Sequence, residues 1–206
     1  MAELFRPETS AMILIDHQVG TLQMVKTAPV ADVMKKTIAL AQAAKILEMP
    51  VVLTTSVETS FQQPLIKDLA EALPDDYPRR IKRMGIVNAW DDPEFKAAVE
   101  ATGRKQLIMA AVTTDICLIF PALSAARDGY QVQAVIDASG SPSDLSEELA
   151  RTRMHDAGIV LTTANTLIAE LAQDWSTPAG GQLAHIMVSS LNPTVHMLDR
   201  SEGAPI

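Results

Sequence analysis

Short, unbroken apolar runs alternate with stretches of helical spacing along most of this chain. Ala11-Met-Ile-Leu-Ile15 is the first run, and Val51-Val-Leu-Thr-Thr55, Gln106-Leu-Ile-Met-Ala-Ala111, Gln131-Val-Gln-Ala-Val-Ile136 and Ile159-Val-Leu-Thr-Thr163 follow. Runs of this length without polar alternation suit strands covered on both faces, the usual condition of a parallel sheet. A further short strand is expected within residues 81–87. Between the runs, Val30, Val33, Met34, Ile38, Ala41 and Ala44 recur at three- and four-residue steps, the stripe of an amphipathic helix that Pro50 stops. A short helix is expected over residues 65–73. Asp91-Asp92-Pro93 gives an acidic cap and a first-turn proline to a helix that Gly103 ends. Another helix starts near Cys117 and closes at Gly129. Asp144 with Glu147 resembles a capping box for a helix running to about His155, and residues 165–171 form the last.

The expected architecture is therefore a three-layer α/β/α sandwich around a central, mainly parallel six-stranded sheet. It is assigned to residues 1–176. The segment 177–206, with Gly180-Gly181 and Pro193, has too little pattern to belong to that core. Its apolar residues, among them Leu183, Ile186, Val195, Met197 and Leu198, are expected to pack on the domain or in an oligomer interface.

The composition narrows the function classes. A formal charge of −8 and 4% aromatic residues argue against a nucleic-acid binder, which needs a basic footprint and stacking platforms. The basic cluster Arg79-Arg80-Ile81-Lys82-Arg83 is short and reads first as solvated surface. A single cysteine excludes an intrachain disulfide. The start, Met1 to Pro7, carries an acid and no apolar h-region, and no stretch approaches the roughly 18 apolar residues needed to cross a bilayer. A cytoplasmic location and no membrane partner are the expectations. No Gly-x-Gly-x-x-Gly follows the first strand, where Asp16-His-Gln-Val-Gly20 stands, so a dinucleotide cofactor is not expected.

In open parallel sheets the site lies beyond the carboxyl ends of the strands, near the point where the winding reverses. Two polar groups fall there: Asp16 after the first strand, and Cys117 after the strand that ends at Ala111. A thiol near a helix start faces unpaired backbone N–H groups and the positive end of the dipole, both of which favour the thiolate. A carboxylate beside it can take its proton and return it to a leaving group. Arg83, or its neighbour Lys82, stands at the end of the third strand, where a cation would hold the pair and orient a substrate. Against this stands the bland reading of Cys117 as one more small buried residue.

The same residues carry a family resemblance. Asp16 at a first-strand end, a basic residue upstream of Asn88-Ala-Trp90, and Thr113-Thr-Asp-Ile-Cys117 resemble the isochorismatase-like cysteine hydrolases. Asn88-Ala-Trp-Asp-Asp92, the run from Ala101 to Leu107, Phe120-Pro-Ala-Leu-Ser-Ala125 and Asp137-Ala-Ser-Gly140 are similar to its YcaC-like branch. The resemblance spans roughly residues 8–176. It implies the sandwich argued above in its Rossmann-like form, with an Asp, Lys and Cys triad that attacks carbonyl or imino carbons, often of amides, without a redox cofactor. By position it makes Asp16 the base and Cys117 the nucleophile of a thioester pathway. It also implies a cis peptide at Val112-Thr113, with the N–H groups of Thr113 and Cys117 as an oxyanion hole, and a large homo-oligomer such as an octamer.

Departures from the family pattern are equally specific. The lysine slot falls on Arg83 when Asn88-Ala-Trp90 is the anchor. Arginine stays charged and cannot shuttle protons, which narrows its role to electrostatic positioning. A one-residue slip on a strand would point Lys82 to the other face, so Arg83 is favoured. A histidine common in the family falls at Glu148. His17, His155, His185 and His196 have no ligand spacing, so no metal is expected. Asn88, Trp90 and Glu58 are candidates for substrate contact, although Trp90 reads equally well as core. Pro121, inside the nucleophile helix, is expected to bend it locally. The leading expectation is a hydrolase of small amide-like C–N bonds. The alternative is a reactive-thiol or small-molecule binding protein on the same fold.

Overall fold

The computed structural model describes residues 4–191. Six strands form one parallel sheet: β1 (Ser10–Ile15), β2 (Val51–Ser56), β3 (Ile81–Arg83), β4 (Gln106–Ala111), β5 (Gln131–Val135) and β6 (Val160–Thr162). Their spatial order is β3-β2-β1-β4-β5-β6, so the winding reverses between β1 and β4. The helices between and after them are α1 (Val30–Ile46), α2 (Lys67–Ala72), α3 (Pro93–Ala101), α4 (Ile119–Arg127), α5 (Asp144–Asp156), α6 (Ala164–Ala172) and α7 (Pro178–Ile186).

The unbroken apolar runs have a direct explanation. Met12 and Leu14 of β1 pack in one core with α1, α6 and α7, while Ala11, Ile13 and Ile15 pack in a second core with α3, α4 and α5. The central strand β4 divides in the same way, with Ile108 and Ala110 on one side and Leu107, Met109 and Ala111 on the other. Alternate residues of one strand therefore feed opposite layers, and neither face can be polar.

Local signals were mostly obeyed, with instructive exceptions. Asp92 caps α3 by accepting from the Glu94 and Phe95 N–H groups, and Pro93 opens its first turn. The cap of α5 is Ser143, which accepts from Ser146 N–H, and Asp144 and Glu147 sit in the first turn instead of forming the cap pair. Thr177 caps α7, whose Leu183 and Ile186 enter the α1 side of the core. The chain from Pro178 to Ile186 thus contributes to the domain core. Only two turns are needed to present a short apolar stripe, too few to register as a pattern. Val195, His196, Met197 and Leu198 lie outside the described residues. Among the described residues no helix is long and apolar enough to cross a membrane.

Candidate active site

Asp16 ends β1 in a left-handed conformation, φ 58°, that few residues other than glycine, asparagine and aspartate adopt readily. Its N–H donates to the Thr54 carbonyl at 3.0 Å, and its own carbonyl accepts from Gln18 N–H at 2.7 Å. This turn places the carboxylate at the gap between β1 and β4. The next strand across, β4, runs into Val112 and Thr113, joined by a cis peptide bond. A π-helical turn, Thr114–Leu118, then carries Cys117, and α4 begins at Ile119. The Leu118 N–H reaches back five residues to the Thr113 carbonyl at 3.1 Å. Pro121 has no N–H to give the Cys117 carbonyl, and the change from π to α geometry falls just ahead of it.

Arg83 completes the set from the end of β3. It is 1% exposed, and its guanidinium makes three bonds from three nitrogens. Nη2 donates to Asp16 Oδ2, Nε donates to Thr54 Oγ1 at 3.0 Å, and Nη1 donates to the Ile86 carbonyl at 2.6 Å. Lys82 points the other way, with 58% of its side chain exposed and its Nζ 3.5 Å from Glu58. The alternation of the strand therefore puts Arg83, and not Lys82, beside Asp16.

The Cys117 residue as a whole is partly exposed. Asp16, Arg83 and the Thr113 main chain all lie close enough to act on its thiol. Burial, reinforced by the adjacent Asp16 charge, pushes the thiol above its ordinary range, against smaller effects of Thr113 and Arg83. Removal from water and a neighbouring carboxylate thus act against the helix start, which favours the thiolate. Burial also raises Asp16, and Arg83 only partly offsets it. Asp16 Oδ1 is buried and makes no hydrogen bond among the described residues.

The other candidates divide. His17 is fully buried, and its Nε2 donates to the Ala138 carbonyl at 2.9 Å; burial pushes its pKa down to about 4, so the ring is neutral. It is a packed neighbour. Asn88 accepts from Trp90 N–H and donates through Nδ2 to Ser124 Oγ at 3.1 Å, pinning its turn to α4. Trp90 packs in the core. It is 2% exposed, its indole N–H donates to Asp128, and its ring meets Phe95 and Tyr130 edge-on. Glu58 accepts from both Nε and Nη2 of Arg80, at 2.6 and 3.0 Å, and from Thr55 at 3.0 Å. Burial would raise its pKa, but these bonds and the Arg80 and Lys82 charges bring it below the usual range. None of its partners belongs to the Asp16–Arg83–Cys117 set. Among the described residues no group of three or more His, Cys, Asp or Glu side chains is arranged to hold a metal ion.

Sequence reasoning missed two supporting residues. Gln18 is buried and ties the chain after β2 in place: its side chain accepts from Ser56 N–H at 2.8 Å and donates to the Ser56 and Gln63 carbonyls. Thr54 bonds Arg83 from a neighbouring strand. The available signal was the polar end of β2, Thr54-Thr55-Ser56, in a strand with no solvent face.

Comparison with known proteins bears on this site. Residues 10–166 match the model of the isochorismatase domain. The chain is 40% identical over 172 residues to the probable hydrolase YcaC of Escherichia coli, covering 84% of this chain and 82% of that protein. The structure of YcaC from Pseudomonas aeruginosa, described with hexane-2,5-diol and covalent acrylamide, superposes with a TM-score of 0.92 at 36% identity over 99% of both chains. The Escherichia coli YcaC structure, described as an octameric hydrolase of unknown specificity, superposes at 0.90 and 36% identity over 97% of both.

Proposed function

The chain belongs to the isochorismatase family, and on that premise we propose that it is a cysteine hydrolase of small amide-like C–N bonds, with Cys117 as nucleophile and Asp16 as base. The observation that carries the reading is the thiol–carboxylate–guanidinium chain at the β1/β4 gap, in which every charged group has a partner.

In this reading Asp16 takes the thiol proton as Sγ attacks the substrate carbonyl carbon. The carbonyl oxygen becomes an oxyanion facing the N–H groups of Thr113 and Cys117. As the C–N bond breaks, Asp16 returns the proton to the departing amine, leaving a thioester on Cys117. Water then attacks the thioester carbon and gives Asp16 a proton, and the acid leaves as the thiol is restored. Arg83 cannot take part in proton transfer, being charged throughout; it holds the carboxylate in place and favours its ionised form. The single cysteine has no resolving partner for a disulfide relay, which sets the reactive-thiol reading behind the hydrolytic one.

An amide and ester panel, run beside Cys117→Ala, tests the proposal. Turnover by the parent protein and none by the variant is expected; equal turnover overturns it. The octameric state described for the Escherichia coli relative supports a homo-oligomer here as well. Sedimentation as a monomer would contradict that.

A further inference from the structure

Thr54 lies in β2, paired in register with Ile81 of β3, and is fully buried. Its hydroxyl has two neighbours of fixed polarity. The Ile81 carbonyl can only accept, so Thr54 Oγ1 donates to it at 2.9 Å. The Arg83 guanidinium can only donate, so the same oxygen accepts from Nε at 3.0 Å. The main-chain carbonyl of Thr54 meanwhile accepts from Asp16 N–H at 3.0 Å. One residue therefore holds both members of the buried ion pair, Asp16 through its main chain and Arg83 through its side chain.

The geometry of Arg83 makes the hydroxyl consequential. Contacts to Asp16 and to the Ile86 carbonyl alone would leave the planar group free to tilt about the line joining them. The Nε contact to Thr54 is the third point that fixes the plane. We infer that Thr54 is a positioning residue for this active site: its hydroxyl sets the guanidinium plane that keeps the Asp16 carboxylate facing Cys117. The inference rests on reading Asp16 and Cys117 as base and nucleophile. It is tied to arginine in the cation slot, because a lysine there has no Nε–H in that position and would leave the Thr54 oxygen without this donor.

The single cysteine makes the test specific, since iodoacetamide can alkylate a thiol at one place only. In that reaction the sulfur–carbon bond forms, iodide leaves, and the thiol proton passes to Asp16. Second-order alkylation rates are compared for Thr54→Val and Thr54→Ser, each alone and with Arg83→Lys. Thr54→Val is expected to slow alkylation about tenfold, the scale of losing a hydrogen bond to a charged group. Thr54→Ser, which keeps the hydroxyl, is expected within about twofold of the parent. With Arg83→Lys present, Thr54→Val should change the rate by less than about twofold, because the contact it removes is already gone. Equal losses in both backgrounds would mean that Thr54 matters only for packing, and would overturn the inference.

A crystal structure of Thr54→Val reads the same contact without using reactivity. A guanidinium turned away from Asp16 is expected, and one that stays in place overturns the inference. An Asp16→Asn variant alkylated as fast as the parent would instead overturn the reading of Asp16 as base to Cys117, and the crystal structure would still decide the role of Thr54. Should Thr54→Val fail to fold, Thr54→Ala removes the hydroxyl with less bulk.

Discussion

Arg83 is buried against Asp16, while Lys82, one residue earlier in the same strand, lies in solvent against Glu58. Two cations that are nearly equivalent in sequence thus have opposite energetic weight. Breaking a buried pair leaves a charge without a partner, whereas an exposed pair contributes little. Arg83→Met is expected to destabilise the protein by about 3–5 kcal/mol and to abolish thiol reactivity. Lys82→Met should shift stability by no more than about 0.5 kcal/mol. Urea denaturation of the two variants makes the comparison, and similar midpoints would contradict it.

Cys117→Ala should remove all hydrolysis of any substrate found for the parent protein, a loss of at least about a thousandfold. It should also change the alkaline limb of stability. The thiol's folded pKa lies above the unfolded value of 9.0, so the unfolded chain loses this proton first. Stability from the group is complete below pH 9 and declines above it, at about 1.4 kcal/mol per pH unit. Denaturation midpoints taken between pH 8 and pH 10 should fall less steeply for Cys117→Ala than for the parent.

His17 gives the opposite limb. Its pKa is depressed from 6.5 to about 4, so on acidification the unfolded chain binds this proton first. Stability from the neutral ring is complete above pH 6.5 and is lost as the pH falls toward 4, by about 3 kcal/mol across that window. His17→Gln, which can still donate to the Ala138 carbonyl, should flatten the acid limb. An unchanged slope would show that the ring is not held neutral.

Trp90 packs on Phe95 and Tyr130 and donates to Asp128, so its loss should be felt in stability and not in chemistry. Trp90→Ala is expected to cost about 3–5 kcal/mol. Trp90→Phe keeps most of the ring, and its alkylation rate at Cys117 should match the parent's. A Trp90→Phe protein that folds normally but has a slow thiol would return Trp90 to the site.

Gly20 has no room for a side chain. A Cβ there would meet the Phe61 carbonyl oxygen at 1.7 Å, and the Gly20 N–H donates to the Gln62 carbonyl at 2.9 Å. Gly20→Ala is expected to push the 57–64 segment off the short helix at Val19–Leu22. Faster proteolysis within that segment is the measurable consequence, and unaltered cleavage would contradict it.

The strands were legible for one physical reason. A parallel strand between two helical layers must be apolar on both faces, and β1 and β4 are. Asp16 and Cys117 stood out because each follows such a run, where the polarity changes abruptly. The choice between Lys82 and Arg83 was readable only as strand alternation, and Trp90 could be core or pocket on composition alone. The cap of α5 was misread because Ser143, Asp144 and Glu147 are all good residues for a helix start, and only the backbone angles distinguish a cap from a first turn.

By itself, then, the sequence determines the sandwich and the two polar residues at its strand ends, Asp16 and Cys117, since these follow from local polarity and spacing. Tertiary structure alone decides the electrostatic surroundings and the support of the site. Burial and Asp16 raise the proton affinity of the thiol, and Arg83 is held by Thr54, 29 residues away along the chain. Electrostatic environment and hydrogen-bond direction depend on which groups meet in space, and no local pattern encodes that.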